Sequence, residues 1–310
     1  EDSGGTSVIG RKNYIINGNF DIWQRGTSLG SGAGYTADRW RNGLNGGTIA
    51  RDQGSFTVGQ SDVPNNPEFY YDFDRTVANT GTNTFLEQRI EDVKTLSGET
   101  VTVSFWAKYT TNAPTTIKVR FLQNFGSAGS SDVGTNLTTT QTLTTSWVKY
   151  TYTATLPSIS GKTVSSGNYV ALEFQNENLE IFDVQIAQVQ VEKGSVATDF
   201  EYRHIGEELH LCQRYYHQSV DGIAYNDGGA YFGTTTAKVW YEFPVEMRVN
   251  PTISFGGSAS NYTVLVNGSV VTATAIASSN ITKKGANNNL TTSSQTNGAA
   301  ALFRWTSGGH

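Results

Sequence analysis

The sequence predicts a mainly β protein: a jelly-roll β-sandwich, a short helical connector, then a smaller C-terminal β domain. Three observations carry this. Segment after segment alternates apolar and polar residues with period two, the pattern of half-buried strands. One stretch alone, Asp199–His217, carries apolar residues at helical spacing: Ile205, Leu209, Cys212 and Tyr216 fall four, three and four apart. Aromatic residues make up 12% of the chain against six prolines and one methionine, a composition that suits sheets.

In order along the chain, residues 1–12 are a Gly/Ser-rich lead that reads as a linker or arm. Its opening, EDSGGTSVIG, has neither the basic nor the apolar region of a signal peptide, and the chain reads as a fragment or processed form. Residues 13–198 form the sandwich. It opens with YIINGNFDIW (14–23), where Asn17-Gly18 marks a turn or bulge, and Asp38-Arg39-Trp40 follows a glycine-rich loop. Alternation then places strands around 69–73, 86–91, 101–108, 117–122, 147–152 and 169–175, and a longer apolar run, 181–191, closes the series. About eight strands without a helix point to two packed sheets. Residues 199–219 are the connector and 220–310 the C-terminal domain. There, Val239, Tyr241 and Phe243 alternate with Trp240 and Glu242. Asn267-Gly268 between two apolar runs is the signature of a tight hairpin. Ser278–Ala300, rich in Asn, Thr and Ser, reads in isolation as solvated or disordered. So little apolar content makes association with copies of itself one way to complete a core.

Composition removes several classes of function. A net charge of −5 and a pI near 5.4 argue against nucleic acid, and no apolar run is long enough for membrane insertion by a helix. The single cysteine, Cys212, excludes an intrachain disulfide framework and the usual cysteine zinc sites. Gly26-Thr27-Ser28-Leu29-Gly30 matches the nucleophile-elbow pattern, but its flanks lack the strand-to-helix turn that such a serine needs. His210 and His217, seven apart, could share a helix face, and read as polar helix positions. Five N-x-S/T matches, from Asn136 to Asn289, carry little weight in so Asn/Thr-rich a chain.

Two constellations remain. Glu87, Glu91 and Glu173 lie opposite the apolar faces of their strands, where a glycosidase could pair two acids. A scatter of charges on a solvated sheet face is the simpler account of them. Trp106, Lys108, Arg120, Tyr169, Glu173 and Gln175 also lie opposite the apolar alternation. If their strands share one sheet, they form a face of aromatic plates and hydrogen-bonding groups suited to sugars.

The motifs NGNFDIWQRGTS and YTADRW resemble the start of a domain found in bacteriophage tail-fibre and related tail proteins. QVEKGSVATDFEYRHIGEELHLCQRYY (190–216) resembles the segment that ends that domain, and FPVEMRVNPTIS (243–254) the segment that follows it. The resemblance implies a jelly roll similar to carbohydrate-binding modules, then a distal β domain, assembled as a homotrimer on the virion beside other tail proteins. In such modules a structural calcium is often held between the first strand and an acid on the last, and Asp21 and Asp183 stand at the comparable positions. The expectation is therefore a non-catalytic receptor-binding protein for bacterial surface polysaccharide. The alternatives are a purely structural tail or head-decoration component, and a polysaccharide depolymerase using acids such as Glu87 and Glu173.

Overall fold

The computed structural model describes residues 11–29, 32–44, 46–78, 81, 84–110, 115–177, 181–219 and 224–305. They fall into two compact units, one ending at Glu208 and one beginning at Leu209. The Gly26–Gly30 match ends on a residue outside that set, and its Ser28 lies in a two-residue strand, not at an elbow.

In the first unit the strands are β1 (Ser28–Leu29), β2 (Gly34–Tyr35), β3 (Trp40–Leu44), β4 (Thr48–Ser55), β5 (Phe69–Val77) and β6 (Thr84–Glu91). They continue with β7 (Thr100–Tyr109), β8 (Thr116–Asn124), β9 (Val133–Thr142), β10 (Val148–Thr155), β11 (Tyr169–Asn176) and β12 (Phe182–Lys193). Two six-stranded antiparallel sheets result, a first of order β1-β4-β5-β12-β7-β10 and a second of order β2-β3-β6-β11-β8-β9. This is the jelly-roll sandwich that the alternation predicts. The reason is visible along β8, where Ile117, Val119 and Phe121 enter the core while Lys118, Arg120 and Leu122 face outward. Phe105 from the first sheet meets Phe174 from the second edge-on at 4.8 Å, so aromatic packing joins the two layers.

Three strands have no clear apolar alternation. β9, VGTNLTTTQT, is an edge strand with no fully buried residue, so threonine β-propensity and pairing with β8 hold it rather than burial. β3 and β4 lie next to glycine-rich turns that hide the period.

The sandwich is closed by a segment outside the regular strands. Tyr14 N–H donates to Val191 O and Val189 N–H to Gly18 O, each at 2.8 Å, laying residues 13–18 along β12. A bulge between Ala187 and Gln190, with Gln188 at φ +48°, bends β12 to receive it. Any side chain at position 18 would meet Val189 O at 2.2 Å, which requires the glycine of Asn17-Gly18. Asn17 organises the rest of the motif. Its Nδ2 donates to Ile22 O and Asp38 O, its Oδ1 accepts from Ile22 N, and its carbonyl accepts from Trp40 Nε1 at 2.9 Å.

The helix α1 spans Ile205–Gln213, nine residues, shorter than the periodicity of 199–217 suggests. Residues 199–204 stay outside the helix, and their side chains are bound to the beginning of the unit. Glu201 accepts from the N–H groups of Lys12 and Asn13. Arg203 donates to Ile15 O at 2.9 Å and to Asn13 O, and Glu208 accepts from Arg203 and from Asn17 N. At the other end, Arg248 N–H takes the carbonyl of Arg214, and the chain turns out of the helix. His217 is therefore not on α1 with His210. It stacks on Tyr241, with Nε2 2.6 Å from the tyrosine hydroxyl.

The second unit is one seven-stranded sheet of β13 (Ala224–Phe232), β14 (Thr236–Glu242), β15 (Tyr262–Val266), β16 (Ser269–Thr272), β17 (Ala275–Ser279), β18 (Gly285–Thr291) and β19 (Ala300–Trp305). Its order is β16-β15-β19-β13-β14-β18-β17. The Asn267-Gly268 hairpin forms as expected, with φ of +49° and +78° at the two turn residues. The solvated reading of Ser278–Ala300 is corrected: β18 runs through it and buries Ala286, Asn288 and Leu290. Pairing with β14 and β17 on both sides makes a strand of GANNNLT, which no local preference would. Tyr231, Val239, Tyr262, Val264, Leu290 and Phe303 give the unit a small core of its own.

Candidate functional site

The six residues expected to share a face are divided between two sheets. Trp106 and Lys108 stand on the outer face of β7 in the first sheet, whereas Arg120, Tyr169, Glu173 and Gln175 stand on β8 and β11 in the second. Alternation shows which residues point outward from a strand. It does not show which strands are neighbours. The joint face is corrected accordingly.

On the second sheet the four form part of a longer array. Tyr35, Arg41, Glu87, Glu173, Arg120 and Asn136 are successive register partners from β2 to β9, one polar row crossing all six strands. Two ion-paired groups fix it. Glu87 Oε1 receives Arg41 Nη1 at 2.7 Å and Arg89 Nε at 2.9 Å. Glu173 Oε2 receives Arg120 Nε and Gln175 Nε2, both at 2.7 Å. The long side chains around them leave Glu87 only 2% and Glu173 only 3% exposed. Burial pushes the Glu173 carboxyl upward, with the Arg120 contact opposing and neighbouring Glu87 adding to the rise.

Aromatic groups flank the row. The Arg89 guanidinium lies 4.3 Å from the Tyr169 ring centroid, Arg41 lies over Phe85, and Arg25 over Tyr35. Tyr35 is exposed at the β2 edge. Planar guanidinium forks, carboxylates held in place and aromatic rings make a surface able to hydrogen-bond vicinal hydroxyls and to pack against apolar C–H groups. Alternation along β6 shows Glu87 and Arg89 on its outward face, though not the neighbours they meet there. Tyr35 and Arg41, in a glycine-rich region, give no such signal.

On the first sheet, Lys108 Nζ lies 5.2 Å from the Trp147 ring, which also packs on Phe56 and Tyr70. Asp21 and Asp183 do not form a joint site. Asp21 accepts from Asn19 Nδ2 and has Glu208 and Glu68 as its acidic neighbours. Asp183, on β12, faces Asp72 and Asp74 of β5. Asp21 is six residues short of β1 and lies against the helix end of the unit, so the calcium arrangement implied by resemblance does not fit these two residues.

Burial raises the Asp21 and Asp38 carboxyls to about 6, against hydrogen bonds from Asn19 and Gln24 that lower them. A carboxyl raised in the folded state binds more protons folded than unfolded, so its stabilising share is present below pH 4 and lost as pH rises through 6. The Asp21→Asn variant, which cannot ionise, should gain thermal stability relative to wild type between pH 4 and 7. Melting curves across that range check this, and a constant difference would refute it.

No protein-family model matches the chain, and no curated protein resembles it significantly in sequence. Solved structures do. One, described as "CBM4 structure and function", is 23% identical over 58% of this chain and 99% of its own, with a TM-score of 0.36. The CBM22-1 xylan-binding domain of Paenibacillus barcinonensis Xyn10C is 14% identical over 61% and 100%, with a TM-score of 0.37. Tailspike protein 4 of bacteriophage CBA120 is 19% identical over 59% of this chain but only 21% of its own, with a TM-score of 0.32. At these TM-scores the likenesses have no bearing on function.

Proposed function

We propose that this chain is a non-catalytic glycan-binding protein of a phage tail fibre, acting as a homotrimer on the virion and contacting bacterial surface polysaccharide through the second sheet. The observation that supports it best is the Tyr35–Arg41–Glu87–Glu173–Arg120–Asn136 row, in which buried ion pairs fix donors and acceptors before any ligand arrives. Such preorganisation reduces the entropy lost on binding. The tail-fibre motifs at both ends of the first unit supply the biological setting, and several copies on one virion would multiply a weak single-site affinity.

Substitution of Arg120 or Tyr169 by alanine should weaken retention on host cells and on a glycan array by about tenfold, or ~1.4 kcal/mol. Trp106→Ala, on the other sheet, should leave binding unchanged. Equal loss from all three, or from none, would sink the assignment of this face. A mass measurement in solution tests the trimer directly.

The direct register of Glu87 with Glu173 favours one second reading, a depolymerase. Both carboxylates are held against arginines, Glu87 by Arg41 and Arg89 and Glu173 by Arg120, and both are almost wholly covered, so neither stands open to a substrate. Reducing ends released from host polysaccharide by wild type, and not by Glu173→Gln, would establish it against the binding reading.

A further inference from the structure

The outer face of the first sheet carries a cluster that the glycan reading does not use. Register places Asp74 opposite Asp183, and Asp72 opposite Gln185, with Asp52 and Lys108 as the next partners on either side of that second row. One carboxylate oxygen from each of Asp72, Asp74 and Asp183 lies within 4.8 Å of the other two. The Oδ1 atoms of all three are buried without a hydrogen-bond partner, although Thr110 donates to Asp183 Oδ2.

A second observation is independent of the acids. Gln185 is only 7% exposed, its Nε2 sits 3.4 Å from Asp72 Oδ2, and its Oε1 has no partner. A half-turn of that carboxamide exchanges nitrogen for oxygen at the cluster and adds an uncharged ligand. Lys108, the nearest base in register, directs its ammonium at the Trp147 ring. Burial, then the neighbouring carboxylates, push Asp72 and Asp74 upward, as expected of negative groups gathered without a counter-charge.

We propose that Asp72, Asp74, Asp183 and Gln185 form a calcium-type divalent cation site on the outer face of the first sheet. All four offer hard oxygen donors. Oxygens that share a calcium ion at bond lengths of about 2.3–2.6 Å stand at most about 5 Å apart, so carboxylate oxygens within 4.8 Å of one another can reach a single ion. Magnesium demands near-ideal octahedral geometry and dehydrates reluctantly, so a mixed carboxylate and carboxamide set on two strands favours calcium. Located on β5 and β12, the ion would clamp two neighbouring strands of the first sheet.

The test uses the full chain, stripped with chelator and titrated with calcium or magnesium chloride by calorimetry and thermal unfolding at neutral pH. Calcium should raise the midpoint by about 5–10 °C at a hundredfold excess over Kd. Asp183→Asn should bind at least about tenfold more weakly. Stripped of metal, that variant should melt above stripped wild type, because one of three crowded acidic groups is gone. This readout shows that the variant is folded. No calcium-dependent shift up to ~10 mM, an equal shift in the variant, or a preference for magnesium would overturn the proposal.

Discussion

Replacing Arg203 by alanine should destabilise the first unit by about 3–5 kcal/mol, the usual result of breaking a buried charged network by removing one partner. The guanidinium is 5% exposed and reaches Ile15 O, Asn13 O and both oxygens of Glu208. Its loss strands a carboxylate that also holds Asn17 N, together with two backbone carbonyls. At roughly 2–4 °C per kcal/mol for a unit of this size, the midpoint should fall by about 10 °C. Arg203→Lys keeps the charge without the planar fork and should fall between the two. Thermal unfolding checks the series. A melting curve for Arg203→Ala that overlays wild type would show the network to be idle.

The second large effect belongs to Trp40. It is fully buried, packs on Phe20 at 5.2 Å and approaches Phe174 at 6.3 Å, and donates to Asn17 O. Trp40→Ala should cost about 3–5 kcal/mol through the cavity it leaves. Trp40→Phe should recover most of that and lose about 1–2 kcal/mol for the stranded carbonyl. Denaturant titration separates the two: the midpoint should move while the slope stays constant. Equal losses for both variants would place the whole effect in the hydrogen bond rather than in packing.

Individual strands were legible because burying one face of a pleated strand writes a period of two into it, as in β7 and β8. The Asn267-Gly268 hairpin was legible because its backbone conformation favours those two residues. Strand neighbours were not legible, since pairing joins residues far apart in sequence. Trp106 and Glu173 therefore looked alike on paper and lie on opposite sheets. The same blindness hid the acidic cluster: Asp72 and Asp183 are 111 positions apart in sequence and meet only through the β5–β12 register. β18 shows the limit from the other side, for its asparagines form a strand only because two neighbours supply the ladder. Composition described residues 278–300 correctly as polar, and said nothing of their pairing.

The network that ties Glu201, Arg203 and Glu208 to residues 12–17 also has a mechanical meaning. Tension applied between residue 12 and residue 208 meets these contacts first, because they bridge the first unit's two ends across as many as 191 positions. The sandwich between them stays out of the line of force until they shear. Contacts loaded in parallel resist more than contacts peeled one at a time, and here ion pairs and backbone hydrogen bonds share the pull. Under such a pull this network would act as a tether lock, sparing the sandwich from strain until the lock gives way.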